Sequence, residues 1–204
     1  MSDDRKYALL GRPRRVWAVG AIHGEAARLA ALHDDVGKRF QPGDRLVYLG
    51  NMIGRGAAVR EPVEELLSFR RHILALRSVV VTDITYLRGG QEEMWHKLLQ
   101  LQFAPDPAAV LQWMIGQGLD MTLAAYGGNP QHGLAAARDG AVTLTRWTGE
   151  LRAALRAAPG HDNLLSAVRR CAYTSAADGS PTDLLFVNAG LDPAKPLQDR
   201  KSVV

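Results

Sequence analysis

The apolar positions along the chain fall into short runs that alternate with helical stripes. Arg15 to Val19 is a β-branched and aromatic run closed by Gly20, the composition of a buried strand. From Glu25 to Phe40, Leu29, Leu32 and Val36 recur at helical spacing until Gln41-Pro42-Gly43-Asp44 breaks the pattern. Arg45 to Leu49 predicts a second strand, closed by Gly50. Val59, Val63, Leu66, Leu67 and Ile73 then mark a long helix, with Pro62 in the first turn, where a missing N–H costs nothing. Val79 to Leu87 predicts a third strand, interrupted near Thr82 and Asp83 and ending in Arg88-Gly89-Gly90. Strands that end in glycine and are each followed by a helix read as an α/β sheet of βαβ units. Such sheets bind ligands at the carboxyl ends of their strands, which is where these glycines lie.

The middle of the chain is helical. Helices are predicted over Glu92 to Phe103, Pro107 to Gly116, Thr145 to Ala158 and Asn163 to Thr174, with a turn at Gly127-Gly128-Asn129-Pro130. Trp95, Leu98, Leu99, Trp113 and Met114 sit at helical spacing and are expected to form core. After a loop at Asp178-Gly179-Ser180-Pro181, Leu184 to Val187 predicts a strand that ends in Asn188-Ala189-Gly190. The block from Gln91 to Thr174 is therefore expected to be a helical cap inserted between sheet strands.

Composition narrows the class. At 204 residues one domain is expected, spanning 1–198, and 47% hydrophobic with 23% charged residues excludes a disordered chain. One cysteine, Cys171, cannot form an internal disulfide, so a cytoplasmic location is expected. No apolar run reaches a membrane span, and the opening Met-Ser-Asp-Asp-Arg-Lys lacks the order of a signal peptide. A net charge of +4 permits contact with phosphates, but the basic residues are dispersed among acids and aromatics are only 6%. No nucleic-acid partner and no membrane are expected.

The candidate chemistry lies in four strand-end turns: Gly20-Ala21-Ile22-His23-Gly24, Gly50-Asn51-Met52-Ile53-Gly54-Arg55-Gly56, Arg88-Gly89-Gly90-Gln91-Glu92 and Asn188-Ala189-Gly190. In this order they resemble the calcineurin-like metallophosphoesterases, in the branch of serine/threonine protein phosphatases and diadenosine tetraphosphatases. That family reads G-D-x-H-G, G-D-x-x-D-R-G, R-G-N-H-E and H-A-G or H-G-G at these turns. Phe186-Val187-Asn188-Ala189-Gly190-Leu191-Asp192-Pro193 is similar to the F-V-H-A-G-L-D-P of small bacterial members. The resemblance implies a β-sheet sandwich flanked by helices with an inserted helical cap. It also implies a site for two divalent cations of the manganese type, which activate a water for in-line attack on phosphorus. A histidine there protonates the leaving group, and arginines hold the phosphate.

This chain departs from the pattern at nearly every ligand. Ala21 and Asn51 stand at the aspartate positions, Gly54 at a second aspartate, Gly90 at the asparagine, Gln91 at the proton donor and Asn188 at the last histidine. His23 alone is retained, with Arg55 and Glu92 beside it. Metal affinity here comes mainly from anionic oxygens, and Gln91 has no titratable proton, so no cofactor is expected. His23 is then either a metal contact or a hydrogen-bonded structural residue. Arg55 either holds a phosphate or pairs with Glu92, and Asn51 and Asn188 are expected to hydrogen-bond each other. Gly24, Gly50, Gly56, Gly89 and Gly190, with Glu92, are expected to serve the backbone turns. Asp83, His96, His132, His161 and Asp192 are the residues from which a displaced metal site could be built.

The expected function is a pseudophosphatase that binds a phosphorylated ligand or a protein partner. The alternatives are an active phosphoesterase with a rearranged site, acting on a phosphoprotein or nucleotide, and a purely structural subunit. The family fold continues past the fourth turn, so its last strands are expected to be missing. Asp199-Arg200-Lys201-Ser202-Val203-Val204 reads as the translation of a sequencing adapter, a non-native tail.

Overall fold

The computed structural model describes residues 6–175 and 184–189. Strands Arg15–Val19 (β2), Asp44–Tyr48 (β3) and Ile84–Tyr86 (β4) form a parallel sheet in the order β2-β3-β4, with Trp17 opposite Leu46 and Leu46 opposite Ile84. Helices Ala26–Arg39 (α1) and Arg60–Leu74 (α2) make the two crossovers that parallel pairing requires. Side chains alternate faces along a strand. Leu46 and Tyr48 of β3 accordingly join Leu29, Val36, Val63, Leu66 and Ile73 of the helices in the main core, and Val47 between them does not.

Val47 faces a second sheet. Tyr7–Leu9 (β1) pairs in parallel with Cys171–Tyr173 (β5), and β5 pairs antiparallel with Leu185–Val187 (β6). Val47 and Leu87 pack with Leu10 and Ala172 in a separate apolar cluster, against which Val16 and Phe186 lie. The chain joins the two sheets at Arg169, whose N–H reaches the Tyr86 carbonyl at 2.8 Å and whose carbonyl accepts from Arg88 at 2.7 Å.

Helices Gly90–Leu98 (α3), Pro107–Met114 (α4), Asp120–Ala125 (α5), Pro130–Asp139 (α6), Ala141–Ala157 (α7) and His161–Ser166 (α8) all lie between β4 and β5. Six helices thus separate these two strands in the chain. The helix expected over Asn163 to Thr174 ends at Ser166, and Cys171–Tyr173 is a strand. Ala172 is fully buried in the cluster between the sheets, and the backbone pairs with β1 and β6, so the tertiary setting overrides the local helical pattern. Three further elements, β1, α5 and α6, were not legible, α5 being only six residues long. The three-residue β1 is too short to show a period, and α6 follows a turn whose Asn129 proves to be a helix cap. Its carboxamide oxygen accepts from the N–H groups of Gln131 at 2.8 Å and His132 at 3.2 Å. The third strand is shorter than the expected Val79 to Leu87 and begins only at Ile84. A 3₁₀ turn at Val81–Asp83 is held by Asp83, which accepts from the Val80 N–H at 2.9 Å and pairs with Arg45 at 3.0 Å. Among the described residues, no helix is long and apolar enough to cross a membrane.

Candidate functional site

The turns that follow β2, β3 and β4 converge, and their own hydrogen bonds hold them together. The Asn51 carbonyl accepts from the N–H groups of Ile22 at 3.0 Å and His23 at 2.9 Å, which ties the first turn to the second. Glu92, fully buried in the first turn of α3, ties the second to the third. Its carboxylate accepts from the N–H groups of Gly89 and Asn51 at 2.8 Å, Met52 at 2.7 Å and Ile53 at 3.3 Å. A carboxylate is suited to this place because it offers about four acceptor sites and donates nothing.

Glu92 is thus engaged by the backbone of two turns, and no Arg55–Glu92 ion pair is made among the described residues. Glu92 is enclosed by backbone, whereas Arg55 is exposed and its Nε makes only a 3.5 Å contact with the Gln117 carbonyl. The expected Asn51–Asn188 pair is absent too. Each amide is fixed to backbone instead: Asn51 Oδ1 accepts from the Gln91 N–H at 3.1 Å, and Asn188 Nδ2 donates to the Leu49 carbonyl at 2.7 Å. His23 and Asn51 both hold left-handed backbone, with φ of 51° and 54°.

The glycines pack the turns against one another. A Cβ on Gly24 would stand 2.7 Å from the Gly56 Cα, and one on Gly50 would stand 2.4 Å from the Gly89 nitrogen. Gly54 has φ of +102°, and a Cβ there would lie 2.4 Å from Oε1 of Gln91. Gln91 therefore fills the volume that a side chain at position 54 would need. Its Nε2 donates to the Gln117 carbonyl at 3.0 Å, which leaves Oε1 buried with no hydrogen-bond partner.

A cavity of about 330 Å³ opens at this junction. His23, Asn51, Arg55, Gly90, Gln91 and Asn188, all singled out from sequence, line it. Ala21 is exposed outside the lining, and Gly190 and Asp192 lie outside the described residues, as do the 178–181 loop and the 199–204 tail.

Three lining residues were not anticipated: Met94, Trp113 and Gln117. Trp113 was expected in the core with Trp95, Leu98 and Met114, which are buried, but it is 52% exposed. On α4 the core-facing positions are Leu111 and Met114, so Trp113 between them points elsewhere. Leu99 packs at the edge of the core. Helical spacing alone could not show which stripe met the turns of the sheet.

The donor set is poor for a pair of divalent cations. Among the described residues, the cavity offers one imidazole and neutral amides as possible ligands, with no carboxylate lining it. Asn51 already uses its oxygen on Gln91, and the Glu92 carboxylate is given over to backbone N–H groups. Hard cations draw their affinity from anionic oxygens, so these residues do not fit such a pair. A displaced site is not assembled among the described residues. Asp83 pairs with Arg45, His96 bonds the Leu165 carbonyl and His161 bonds the Tyr126 hydroxyl, and no three His, Cys, Asp or Glu side chains gather. His161 is held below its ordinary pKa by burial, as expected of a neutral core histidine.

No model of a known protein family matches the chain, and no curated protein matches it in sequence.

Proposed function

We propose that this chain is a catalytically degenerate metallophosphoesterase-like protein, a pseudophosphatase whose cavity binds a phosphorylated ligand, free or carried on a protein partner. One observation carries the reading. Residues at the family ligand, proton-donor and phosphate positions line a single cavity, and none of its described lining residues is a carboxylate. Two facing sheets with helices inserted after β4 are in keeping with a metallophosphoesterase-like sandwich. Arg55 supplies the positive charge for an anion, and the free Nδ2 of Asn51 supplies a second donor. Gln91 stands where a proton donor would and cannot act as one near neutral pH. A cytoplasmic setting belongs to the same reading and rests on the lone thiol of Cys171.

The test is a pair of measurements on the full chain. Titration of manganese should show no saturable micromolar binding, and an aryl phosphate incubated with manganese should not be turned over. Phenyl phosphate should nevertheless bind, and Arg55→Ala should weaken it at least tenfold, about 1.4 kcal/mol, as expected for loss of one charge-assisted contact. Chelator-sensitive hydrolysis would overturn the pseudoenzyme reading in favour of an active phosphoesterase.

A further inference from the structure

The cavity is asymmetric in what it offers a phosphate. Among the described lining residues, Arg55 carries the one permanent positive charge. The Glu92 carboxylate, which does not line the cavity, is buried against the N–H of Asn51, which does. A ligand with two negative charges would thus meet a single compensating charge among the described lining residues. The two fixed amides point opposite ends at the ligand. Asn51 has its oxygen held by the Gln91 N–H and presents Nδ2, a donor. Asn188 has its nitrogen held by the Leu49 carbonyl and presents Oδ1, an acceptor that makes no hydrogen bond to another described residue. Neither amide can rotate without breaking its anchor. Gln91, only 6% exposed, keeps its own unpaired Oε1 buried, so the acceptor presented to the ligand is that of Asn188. An unpaired acceptor facing a bare oxyanion is repulsive, whereas the same acceptor facing a P–OH gains a hydrogen bond.

Resting on the phosphate-binding reading above, we propose that the cavity selects the singly protonated form of a phosphate monoester. Its bare oxygens face Arg55 and Asn51 Nδ2, and its P–OH donates to Asn188 Oδ1. No covalent step is involved; the site recognises a proton that the ligand already carries. Phosphate monoesters lose this proton near pH 6, so the monoanion falls by about twentyfold as a fraction of the ligand between pH 5.5 and 7.5.

The experiment compares phenyl phosphate with phenyl sulfate by calorimetric titration of the full chain at pH 5.5, 6.5 and 7.5. Phenyl sulfate has the same single charge but no proton at any of these values. Other groups at the site could also respond to pH: His23 lines the cavity and would attract both ligands if protonated, while Arg55 stays charged and Glu92 is buried. Phenyl phosphate should bind at least tenfold more tightly at pH 5.5 than at pH 7.5. Phenyl sulfate should stay at least tenfold weaker than phenyl phosphate at pH 5.5. Asn188→Ala should bring the two ligands to within about threefold of each other at pH 5.5. Equal affinity for the two ligands, or matching pH slopes, would overturn the proton-selective site and leave phosphate binding standing. Failure of both ligands to bind at every pH would overturn the phosphate-binding reading and this inference with it.

Discussion

Glu92 shows how a single side chain can hold a site together without facing its ligand. Four N–H groups from two turns converge on its carboxylate, and replacing it by glutamine leaves one oxygen to accept from them. Glu92→Gln should cost about 3 kcal/mol of stability, read as a lowered urea midpoint, because buried donors lose a charged acceptor. A shift below about 1 kcal/mol would mean that the turns find other partners. Gly54 is the complementary case. Gly54→Asp places a Cβ within 2.4 Å of Gln91 in left-handed backbone, so it should destabilise by about 2 kcal/mol. Gln91→Ala in the same chain should recover about half of that, and strict additivity in the double-mutant cycle would show that the two positions do not compete. The retention of Arg-Gly-Gly-Gln-Glu as a turn was legible in sequence. That Gln91 occupies the volume over Gly54 was not, since it depends on how two turns about 40 residues apart meet.

At the scale of elements, α1 and α2 are joined by a polar contact inside an apolar layer. His33 of α1 is buried, stacks on Phe69 at 3.9 Å between ring centroids, and lies between Glu65 and Tyr48. Its Nδ1 is 2.6 Å from Glu65 Oε1 and its Nε2 is 2.9 Å from the Tyr48 hydroxyl. A neutral ring satisfies both contacts, donating from Nδ1 and accepting at Nε2. Burial holds His33 below its ordinary pKa of 6.5, against the opposing pull of Glu65, and burial also lowers His161. The folded state therefore binds fewer protons than the unfolded chain just below pH 6.5. Stability should be flat above that value and fall as the pH drops below it. A melting temperature unchanged between pH 7 and pH 5 would contradict this assignment. Asp44 behaves oppositely in cause: burial raises its pKa, but hydrogen bonds from Trp17, Arg15 and Gln41 outweigh that and lower it. Its contribution is present above its ordinary value of 3.8 and is lost only in stronger acid. The helices themselves were readable from spacing, but the histidine contact between them was not, because no local pattern records which residue of α2 faces Leu29 and Val36.

At the scale of the whole molecule, the second sheet decides how the first is covered. Ala172, Leu10, Leu87 and Val47 close the layer between them, with Ala172 fully buried. Ala172→Leu should overpack this layer and destabilise the protein by about 1–3 kcal/mol in urea unfolding, while the same change at exposed Ala21 should be within about 0.5 kcal/mol of neutral. The strands β2 and β3, the helix α2 and six of the nine cavity-lining positions were accessible from the sequence. Period, glycine punctuation and turn chemistry act between neighbours, so the order of residues alone records them. The tertiary structure decided the strand state of Cys171–Tyr173, the exposure of Trp113, and the fixing of Asn51 and Asn188 to backbone instead of to each other. Each of those depends on contacts between segments far apart in the chain, where burial and hydrogen-bond satisfaction outweigh a local preference worth less than about 1 kcal/mol per residue.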